Sequence, residues 1–395
     1  MTANDLVFQQ SPSLRVAVVT ETYPPEVNGV AMTLGRLVEA LQRRRHCVQL
    51  VRPRQGASDT AAHRDQFEEV LKAGIPIPRY DGLQIGLPAK QGLMRLWALK
   101  RPDIVHIATE GPLGWSALAA ATQLKLPVST GFHTNFHSYC KHYGIGFLKK
   151  PIAAYLRKFH NRALATLVPT EGLRDELEGH GFKNLHVVSR GVDTLFFSPS
   201  RRSPELRRVW GAGEHGIVAM YVGRMAPEKN LPLAVTAFLA MHERNPQVQL
   251  VMIGDGPERT RLARRNPNVV FAGTRSGEDL ATHYASADVF LFPSLTETFG
   301  NVTLEAMASG LAVVAYEYAA ARQCLVHEES GLLAPFGDSS TFVGMAVGLT
   351  EDSARIARLR LYARAAAERN DWESVVSEFE NVLRDVIQKQ DAARG

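Results

Sequence analysis

The chain has 395 residues, 45% of them hydrophobic and 22% charged, which is typical of a soluble globular protein large enough for two domains. No apolar run approaches the roughly 18 residues that a membrane-spanning helix needs. The first residues lack the basic and then apolar pattern of a signal peptide. The 3 cysteines are far apart in the chain, which argues against a disulfide framework or a cysteine metal site. We therefore expect a cytoplasmic protein in a reducing compartment.

Charge is unevenly distributed along the chain. Residues 1–195 hold 24 Lys and Arg against 16 Asp and Glu, whereas the net charge of the whole chain is only +5. A basic first half indicates anionic partners such as nucleic acid, anionic lipid or a phosphorylated acceptor. An ordinary solvated surface explains the imbalance equally well.

The first half of the chain alternates apolar strands with amphipathic helices. The predicted strands are 14–20, 46–51, 103–107, 128–132 and 166–168. The predicted helices are 30–45, one that begins at Pro112, 151–163, and one that begins at Glu171. The polar, turn-rich segment 190–204 is typical of a linker.

The second half repeats this rhythm. Its predicted strands, with helices between them, are 217–222, 248–253, 269–272, 289–292 and 312–315. Strands and helices that alternate in this way form parallel sheets covered on both faces, so the sequence predicts an α/β fold of two doubly wound, Rossmann-like domains. We place the domains at 1–195 and 205–371, facing each other across a cleft at the carboxyl ends of their strands.

Two glutamates bracket the loop and helix that follow the strand 289–292. Glu297 lies in the loop, and Glu305 lies about one turn inside a short predicted helix, 302–307. This spacing spans roughly 12 Å or less, which suits the two ends of an extended, hydroxyl-rich ligand. The helix N-terminus between the two carboxylates offers N–H groups to a phosphate. The motif therefore favours a nucleotide-sugar, although two surface glutamates on one helix are also common.

Two cations, Arg224 and Lys229, follow the first strand of the second domain. Arg can donate to two phosphate oxygens at once, while Lys supplies a point charge. A diphosphate leaving group gains negative charge as its bond to the sugar breaks, and donors aimed at developing charge usually make the largest catalytic contribution. We therefore predict that these cations stabilise the leaving group.

Two residues at strand ends of the first domain are further candidates. Gly29 opens the first helix and would let the backbone approach a phosphate, although an ordinary turn explains it as well. His133 follows the strand 128–132. A histidine at a strand end is more often structural, but the predicted cleft beside it favours a functional role.

Together these motifs resemble the retaining glycosyltransferases of family 4, which have the two-domain GT-B fold. The resemblance extends from about Arg15 to about Val386. It is carried by the Glu-x7-Glu pair with its loop, by Gly-Arg…Pro-x-Lys-Asn at 223–230, and by the loop 24–30. In that last loop Asn28 replaces the first glycine of the family pattern.

The resemblance implies a role for each site residue. His133 would contact the 6-hydroxyl of the sugar, Gly254 would shape the cleft wall, and Arg275 would lie near the nucleotide base. The final helix, about 372–390, would cross back onto the first domain. The implied catalytic residues are His133, Arg224, Lys229 and Glu297. The implied donor-binding residues are Gly29, Arg224, Lys229, Gly254, Arg275, Glu297, Phe299, Gly300, Asn301 and Glu305.

The segment 137–159 is the acceptor candidate, because it mixes Lys and Arg with Tyr, Phe and Leu. This mixture suits a protein that lies on an anionic membrane. It would also suit RNA, and a partly buried helix with a solvated basic face explains it equally well. We favour the membrane and expect no nucleic-acid partner.

The runs 109–114 and 131–139 look most like bacterial lipid mannosyltransferases that use GDP-mannose. We therefore predict retaining transfer of a hexose, with mannose from GDP-mannose as first choice, to a lipid or lipid-linked glycan at the inner face of the plasma membrane. The alternatives are a UDP-glucose-dependent diacylglycerol glucosyltransferase, a nucleotide-sugar 2-epimerase and a non-catalytic nucleotide-sugar sensor.

The predicted mechanism needs neither a protein nucleophile nor a cofactor. No carboxylate in the sequence can be assigned as a nucleophile, so the resemblance implies front-face transfer, in which the leaving phosphate accepts the proton of the acceptor. The chain has no Asp-x-Asp motif to anchor a metal on the diphosphate. We therefore expect no metal, with Arg224 and Lys229 neutralising the phosphates.

Overall fold

The computed structural model describes residues 12–26, 28–56, 58–76, 84–133, 149–213 and 216–394. These residues form two α/β domains, each built around one mostly parallel sheet. None of the helices in these ranges is long and apolar enough to cross a membrane. The predicted fold class, two parallel-sheet domains, is confirmed.

The first domain contains strands β1 to β10: Arg15–Val19, Cys47–Pro53, His63–Arg64, Phe67–Lys72, Gly74–Pro76, Gln84–Gly86, Ile104–Ile107, Val128–Gly131, Ala165–Val168 and Leu185–Val187. Eight of them form one sheet in the order β10-β9-β8-β7-β1-β2-β4-β3. Only β3 runs antiparallel to its neighbour. Strand β1 has β2 on one side and β7 on the other. The chain therefore reverses its direction of winding at β1, which creates a crevice between β1 and β7.

Five described helices of this domain, α1 to α5, are Gly29–Arg43, Lys90–Leu99, Pro112–Gln123, Lys149–His160 and Glu171–Gly179. Two separate clusters of buried side chains cover the two faces of the sheet. On one face, Leu37 and Leu41 of α1 are buried. On the other face, Trp97 of α2 and Leu113 of α3 are buried. The first sheet is thus doubly wound.

The second domain contains strands β11 to β16: Val218–Val222, Gln249–Ile253, Val270–Gly273, Val289–Phe292, Ala312–Tyr316 and Leu332–Ala334. They form a parallel sheet in the order β13-β12-β11-β14-β15-β16. Helices α6 to α13 are Pro204–Val209, Leu231–Arg244, Arg259–Arg265, Gly277–Ala285, Asn301–Ala308, Ala319–Cys324, Ser339–Gly348 and Ser353–Glu368. Strands β11 and β14 read as continuous apolar runs because both faces of the sheet are buried. Winding reverses between these two strands.

The last helix, α14 (Trp372–Ala392), leaves the second domain and lies on the first. Val376, Phe379 and Leu383 are buried in the same cluster as the strands of the first sheet. Arg44 Nη1 donates to Glu380 Oε2 at 3.1 Å, which fixes the exposed side of this helix to α1. The helix therefore links the two domains at a point remote in sequence from the linker.

Several elements were not predicted from the sequence, and for two of them, β4 and β16, the physical reason is clear. Helix α2 and strand β4 lie in the stretch between the predicted strands 46–51 and 103–107. Strand β4 reads Phe-Glu-Glu-Val-Leu-Lys, so its charged residues concealed it. Glu69 is nevertheless buried, because Arg52 donates to its carboxylate at 3.2 Å. Strand β16 was missed because it has only 3 residues.

Candidate active site

The two crevices created by the reversals of winding face each other. Loops after β1 and β8 approach from the first domain, and loops after β11 and β14 approach from the second. Thr298 Oγ1 donates to the backbone oxygen of His133 at 3.1 Å. A carbon built as a side chain on Gly29 would lie 3.8 Å from Asn301 Nδ2. Ligands of open α/β sheets bind at such points, so the candidate active site lies here.

Lys229 and Glu297 form an ion pair at the base of this site. Lys229 ends a short 3-10 helix, Pro227–Lys229, and Glu297 follows β14. Lys229 Nζ lies 2.5 Å from Glu297 Oε1 and 3.2 Å from the backbone oxygen of Thr296. Both side chains are mostly buried, with 17% and 14% exposed. The pair therefore places a positive and a negative charge next to each other in a partly desolvated cleft.

Arg224 lies at the start of the same loop, with its side chain exposed. Its backbone oxygen accepts a hydrogen bond from Tyr221 Oη at 3.1 Å. The loop packs closely on the next strand end, because a side-chain carbon on Gly254 would come within 2.1 Å of the Gly223 oxygen. Gly254 also has φ +125°, a conformation that favours glycine. Gly254 thus shapes the wall of the cleft by allowing the two loops to touch.

The N-terminus of α10 faces the cleft without a side-chain cap. Gly300 precedes the helix with φ +96°, and no described side chain accepts from its first N–H groups. Phe299 is buried, and its backbone oxygen accepts from the N–H of Ala320 at 2.9 Å, which fixes the loop. Open N–H groups and the helix dipole together favour an anion at this position.

Glu305 lies on α10 with its carboxylate turned inward. Tyr284 Oη donates to Glu305 Oε2 at 3.0 Å. Burial raises the pKa of Glu305 from 4.5 to about 7, although the hydrogen bond from Tyr284 works in the opposite direction. This carboxylate is therefore poorly solvated and ready to accept hydrogen bonds from a ligand hydroxyl.

His133 is held by an arginine that the sequence analysis did not name. Arg190 Nη2 lies 2.6 Å from His133 Nδ1, so Nδ1 accepts and the ring carries its proton on Nε2. Burial, and then the positive charge of Arg190, hold the pKa of His133 well below 6.5. His133 Nε2 is buried and has no hydrogen-bond partner within the described ranges. The ring of His133 is therefore neutral and carries its proton on Nε2.

Gly29 is the first residue of α1, and the residue before it changes what this helix end can do. Asn28 Oδ1 accepts from the N–H groups of Val30 and Ala31 at 3.1 and 2.9 Å. The asparagine that replaces glycine in the family pattern is therefore an N-cap. The side chain of Asn28 occupies two of the N–H groups that were predicted to bind a phosphate. The N-terminus of α10 is therefore more open than that of α1.

Arg275 lies at the end of β13, the edge strand of the second sheet. Its Nε donates to the backbone oxygen of Ala272 at 3.0 Å, and its Nη1 lies 3.1 Å from Asp279 Oδ2. The side chain is half-exposed and is held along the surface. Arg275 is thus separated from β11 and β14 by the strand β12 and lies at the outer end of the cleft.

Glu21 is a second residue that the sequence analysis did not assign. It follows β1 in the crevice of the first domain, where its Oε1 accepts from the N–H of Leu113 at 3.1 Å. Its carboxylate lies directly on Gly111, where a side-chain carbon would come within 1.9 Å. Burial, together with the charge of Glu110, raises the pKa of Glu21 to about 7. Only the pairing of β1 with β7 brings these residues together, so no local motif could reveal them.

Two other observations concern where a ligand or a metal ion could bind. A cavity of about 480 Å³ lies at the amino ends of the first-sheet strands, lined by Arg15, Cys47 and Lys100 among others. It is at the wrong edge for a ligand of an open α/β sheet. Across the described ranges, no 3 His, Cys, Asp or Glu side chains are grouped to hold a metal ion.

Residues 134–148, which include most of the acceptor candidate segment, lie outside the described part of the chain.

Two doubly wound domains that face each other at the ends of their strands are the arrangement of the GT-B fold. A solved structure of sucrose-phosphate synthase from Thermosynechococcus elongatus matches with a TM-score of 0.78. The match covers 95% of this chain and 100% of the other, at 19% sequence identity. This likeness establishes the fold.

The family follows from the sequence comparisons. The profile of Glycosyltransferase Family 4 matches residues 27–195, and that of Glycosyl transferases group 1 matches residues 216–352. A GDP-mannose-dependent alpha-mannosyltransferase of Mycobacterium tuberculosis is 34% identical over 93% of this chain and 95% of its own length. An alpha-monoglucosyldiacylglycerol synthase of Streptococcus pneumoniae is 27% identical over 77% of this chain and 71% of its own. The chain belongs to glycosyltransferase family 4, as its motifs indicate, and it is a glycosyltransferase.

Proposed function

We propose that this enzyme transfers mannose from GDP-mannose to a hydroxyl of a lipid or lipid-linked glycan, with retention of the anomeric configuration. The observation that carries the proposal is the Lys229–Glu297 pair beside the open N-terminus of α10. This arrangement offers a cation and N–H groups to a diphosphate and a carboxylate to a sugar. The likeness to the mycobacterial GDP-mannose-dependent enzyme supports mannose as the sugar.

Each site residue has a role that fits its surroundings. Glu305 accepts hydrogen bonds from the ribose diol, because its carboxylate is poorly solvated. The N–H groups at the start of α10 bind the diphosphate together with Arg224 and Lys229. Glu297 binds the hydroxyls of the hexose, and His133, which follows β8, contacts the hexose from the first domain.

The chemical step follows from this placement. As the bond between the sugar carbon and the phosphate oxygen breaks, negative charge develops on the diphosphate, and the two cations and the helix dipole stabilise it. The new bond to the acceptor oxygen forms on the same face, and the leaving phosphate takes the acceptor proton. Protein cations replace a metal in this scheme, so we propose that the reaction is metal-independent.

The acceptor side of the proposal rests on helix α4. Lys150, Arg157 and Lys158 are exposed along this helix, and Tyr155 is 44% exposed. Phe159, which the sequence analysis counted in the same basic and aromatic segment, is buried in the first domain. The surface of α4 that meets solvent is therefore mainly cationic, and we propose that it attracts anionic lipid by charge rather than by inserted aromatic rings.

A second candidate function is transfer of glucose from UDP-glucose to diacylglycerol. The likeness to the pneumococcal alpha-monoglucosyldiacylglycerol synthase favours it. The base and the sugar of the donor distinguish the two candidates. Membership of family 4 leaves the epimerase and the non-catalytic sensor without support.

A panel of donors tests the proposal. GDP-mannose, GDP-glucose, UDP-glucose and UDP-galactose are each added to the protein, and thermal unfolding and release of nucleoside diphosphate are followed. A ligand at about 100 times its dissociation constant stabilises the protein by roughly 2.7 kcal/mol. We expect the largest stabilisation and the fastest turnover with GDP-mannose. Preference for UDP-glucose in both assays would select the second candidate instead.

A further inference from the structure

A cavity of about 360 Å³ lies between the two domains and reaches Glu297. One wall is Thr170 and the first turns of α5, up to Glu176. The other wall is Thr298 with the segment 318–323. Its volume falls within the roughly 300–1,000 Å³ of small-molecule sites. Nothing in the donor site accounts for the wall formed by α5.

Hydrogen bonds across the cleft hold the two walls in place. Gln323 Oε1 accepts from the N–H of Glu171 at 3.2 Å, and Gln323 Nε2 donates to Ser189 Oγ at 3.2 Å. Thr298, which lines the cavity, bonds to His133. The cavity is therefore formed by both domains together, and it adjoins the two residues proposed to bind the transferred sugar.

The lining of the cavity suits hydroxyl groups. Glu171, Asp175, Glu176 and Arg322 supply hydrogen-bonding groups, and Leu173 and Ala319 are the aliphatic side chains in the lining. Tyr318 Oη donates to the backbone oxygen of Glu297 at 2.9 Å, so its ring is fixed beside the sugar end of the site. This mixture fits a hydroxyl-rich ring and offers no groove for an acyl chain.

The charge of the cavity selects against a phosphate. Four of its lining residues are carboxylates, and Arg322 is the cation among them. Arg174 bridges Asp175 and Glu171 from outside the cavity, and Lys229 pairs with Glu297. These four carboxylates and three cations leave a net charge of −1, and like charges brought together disfavour an anionic partner.

We propose that this cavity binds the head of the acceptor, and that the head is a hydroxyl-rich ring, a pyranose or cyclitol without phosphate. The inference rests on the proposed function and adds the class of acceptor to it. One ring hydroxyl reaches the sugar carbon held at Glu297. Its oxygen forms the new bond as the bond to the phosphate oxygen breaks, and its proton passes to the leaving phosphate.

The test compares acceptors with and without a ring. The probes are octyl glucoside, a pyranoside on a single chain, and 1,2-dioctanoylglycerol, each with GDP-mannose. The variants are the double change Asp175→Asn with Glu176→Gln, and separately Arg322→Gln. Glu178→Gln is the matched control, because Glu178 is exposed on the same helix but does not line the cavity.

We expect each cavity variant to raise the KM for octyl glucoside about tenfold, since a hydrogen bond to a charged group is worth roughly 1.5–3 kcal/mol. The KM for GDP-mannose and the slow hydrolysis of GDP-mannose should not change, and Glu178→Gln should match wild type. A raised KM for GDP-mannose in the variants would assign the cavity to the donor and overturn the proposal. The proposal would also be overturned if the wild type preferred dioctanoylglycerol to octyl glucoside and the variants kept that preference.

A binding measurement separates this inference from the proposed function. Saturation-transfer NMR reports contact between octyl glucoside and the protein without any turnover. If the wild type fails to use GDP-mannose, the proposed function falls. If the cavity variants weaken the contact with octyl glucoside, the ring site would still be supported. If they leave this contact intact, the ring site would be contradicted.

Discussion

Lys229 and Glu297 are 68 residues apart in sequence, yet Lys229 Nζ lies 2.5 Å from Glu297 Oε1. The pair joins the loop after β11 to the loop after β14, on the two sides of the crevice in the second sheet. Each residue of the pair neutralises the charge of the other. We propose that the diphosphate of a nucleotide-sugar competes for the lysine and that its sugar hydroxyls compete for the carboxylate, so both partners are already in position for their ligands.

Loss of either cation should cost far more turnover than stability. Lys229→Ala and Arg224→Ala each remove a donor to the diphosphate, and loss of one such donor typically lowers kcat about 100-fold or more. Steady-state kinetics and thermal unfolding check this. Lys183→Ala and Arg265→Ala, which change exposed cations away from the cleft, serve as matched controls. Near-normal turnover in both site variants would show that the diphosphate lies elsewhere.

The two glutamates should act on different parts of the donor. Glu305→Gln should weaken binding of GDP itself, because a carboxylate accepts more hydrogen bonds from a ribose diol than an amide does. Glu297→Gln should lower turnover and leave the affinity for GDP almost intact. Calorimetric titration with GDP, together with kinetics, separates the two effects. Equal loss of GDP binding in both variants would contradict the division.

The raised pKa of Glu305 should make the stability of the folded protein depend on pH. Its folded-state pKa of about 7 lies above the ordinary 4.5. The folded state therefore loses stability as pH rises from 4.5 to 7, and the loss is complete above 7. Near pH 8 the free energy of unfolding of Glu305→Gln should exceed that of wild type by on the order of 1–3 kcal/mol, so the variant should unfold at a higher temperature. Near pH 5 the gain should be small. Glu329→Gln, on the surface, should show neither effect. A Glu305→Gln protein that is no more stable than wild type at pH 8 would show that the ionised Glu305 side chain does not destabilise the folded state.

Much of the fold could be predicted from the sequence, because the apolar strands are continuous and the helices between them are amphipathic. The helix that carries Glu305 was predicted at 302–307 and is Asn301–Ala308. The site could be predicted less completely. The pairing of Arg190 with His133, and the position of Glu21 on Gly111, depend on which strands are neighbours in the sheet. Local sequence carries no signal for such contacts, whereas the capping role of Asn28 could have been recognised from its residue type.

Activity should survive a strong chelator. The proposed site neutralises the diphosphate with Arg224, Lys229 and the N-terminus of α10, so no metal is needed to hold the phosphates. Turnover is measured before and after dialysis against EDTA. Complete loss with EDTA, reversed by magnesium or manganese, would refute the proposed metal independence.

Charge on α4 should control binding to membranes. Changing Lys149, Lys150, Arg157 and Lys158 together to Ser should release the protein from anionic vesicles, since each cation near the surface contributes about 1 kcal/mol. High salt should weaken the binding of wild type in the same way. A variant with Ser at Arg244, Arg264 and Arg265, exposed on the second domain, is the control. Wild-type protein that ignores anionic vesicles at low salt would remove the membrane from the proposal.

The configuration of the product tests the proposed retaining transfer of mannose most directly. Wild-type enzyme is supplied with GDP-mannose and octyl glucoside, and the new glycoside is examined by NMR through the one-bond carbon–hydrogen coupling at the anomeric carbon. We expect an α-mannoside, because the acceptor attacks from the face that the diphosphate leaves. A β-mannoside would contradict it, since inversion requires attack from the opposite face.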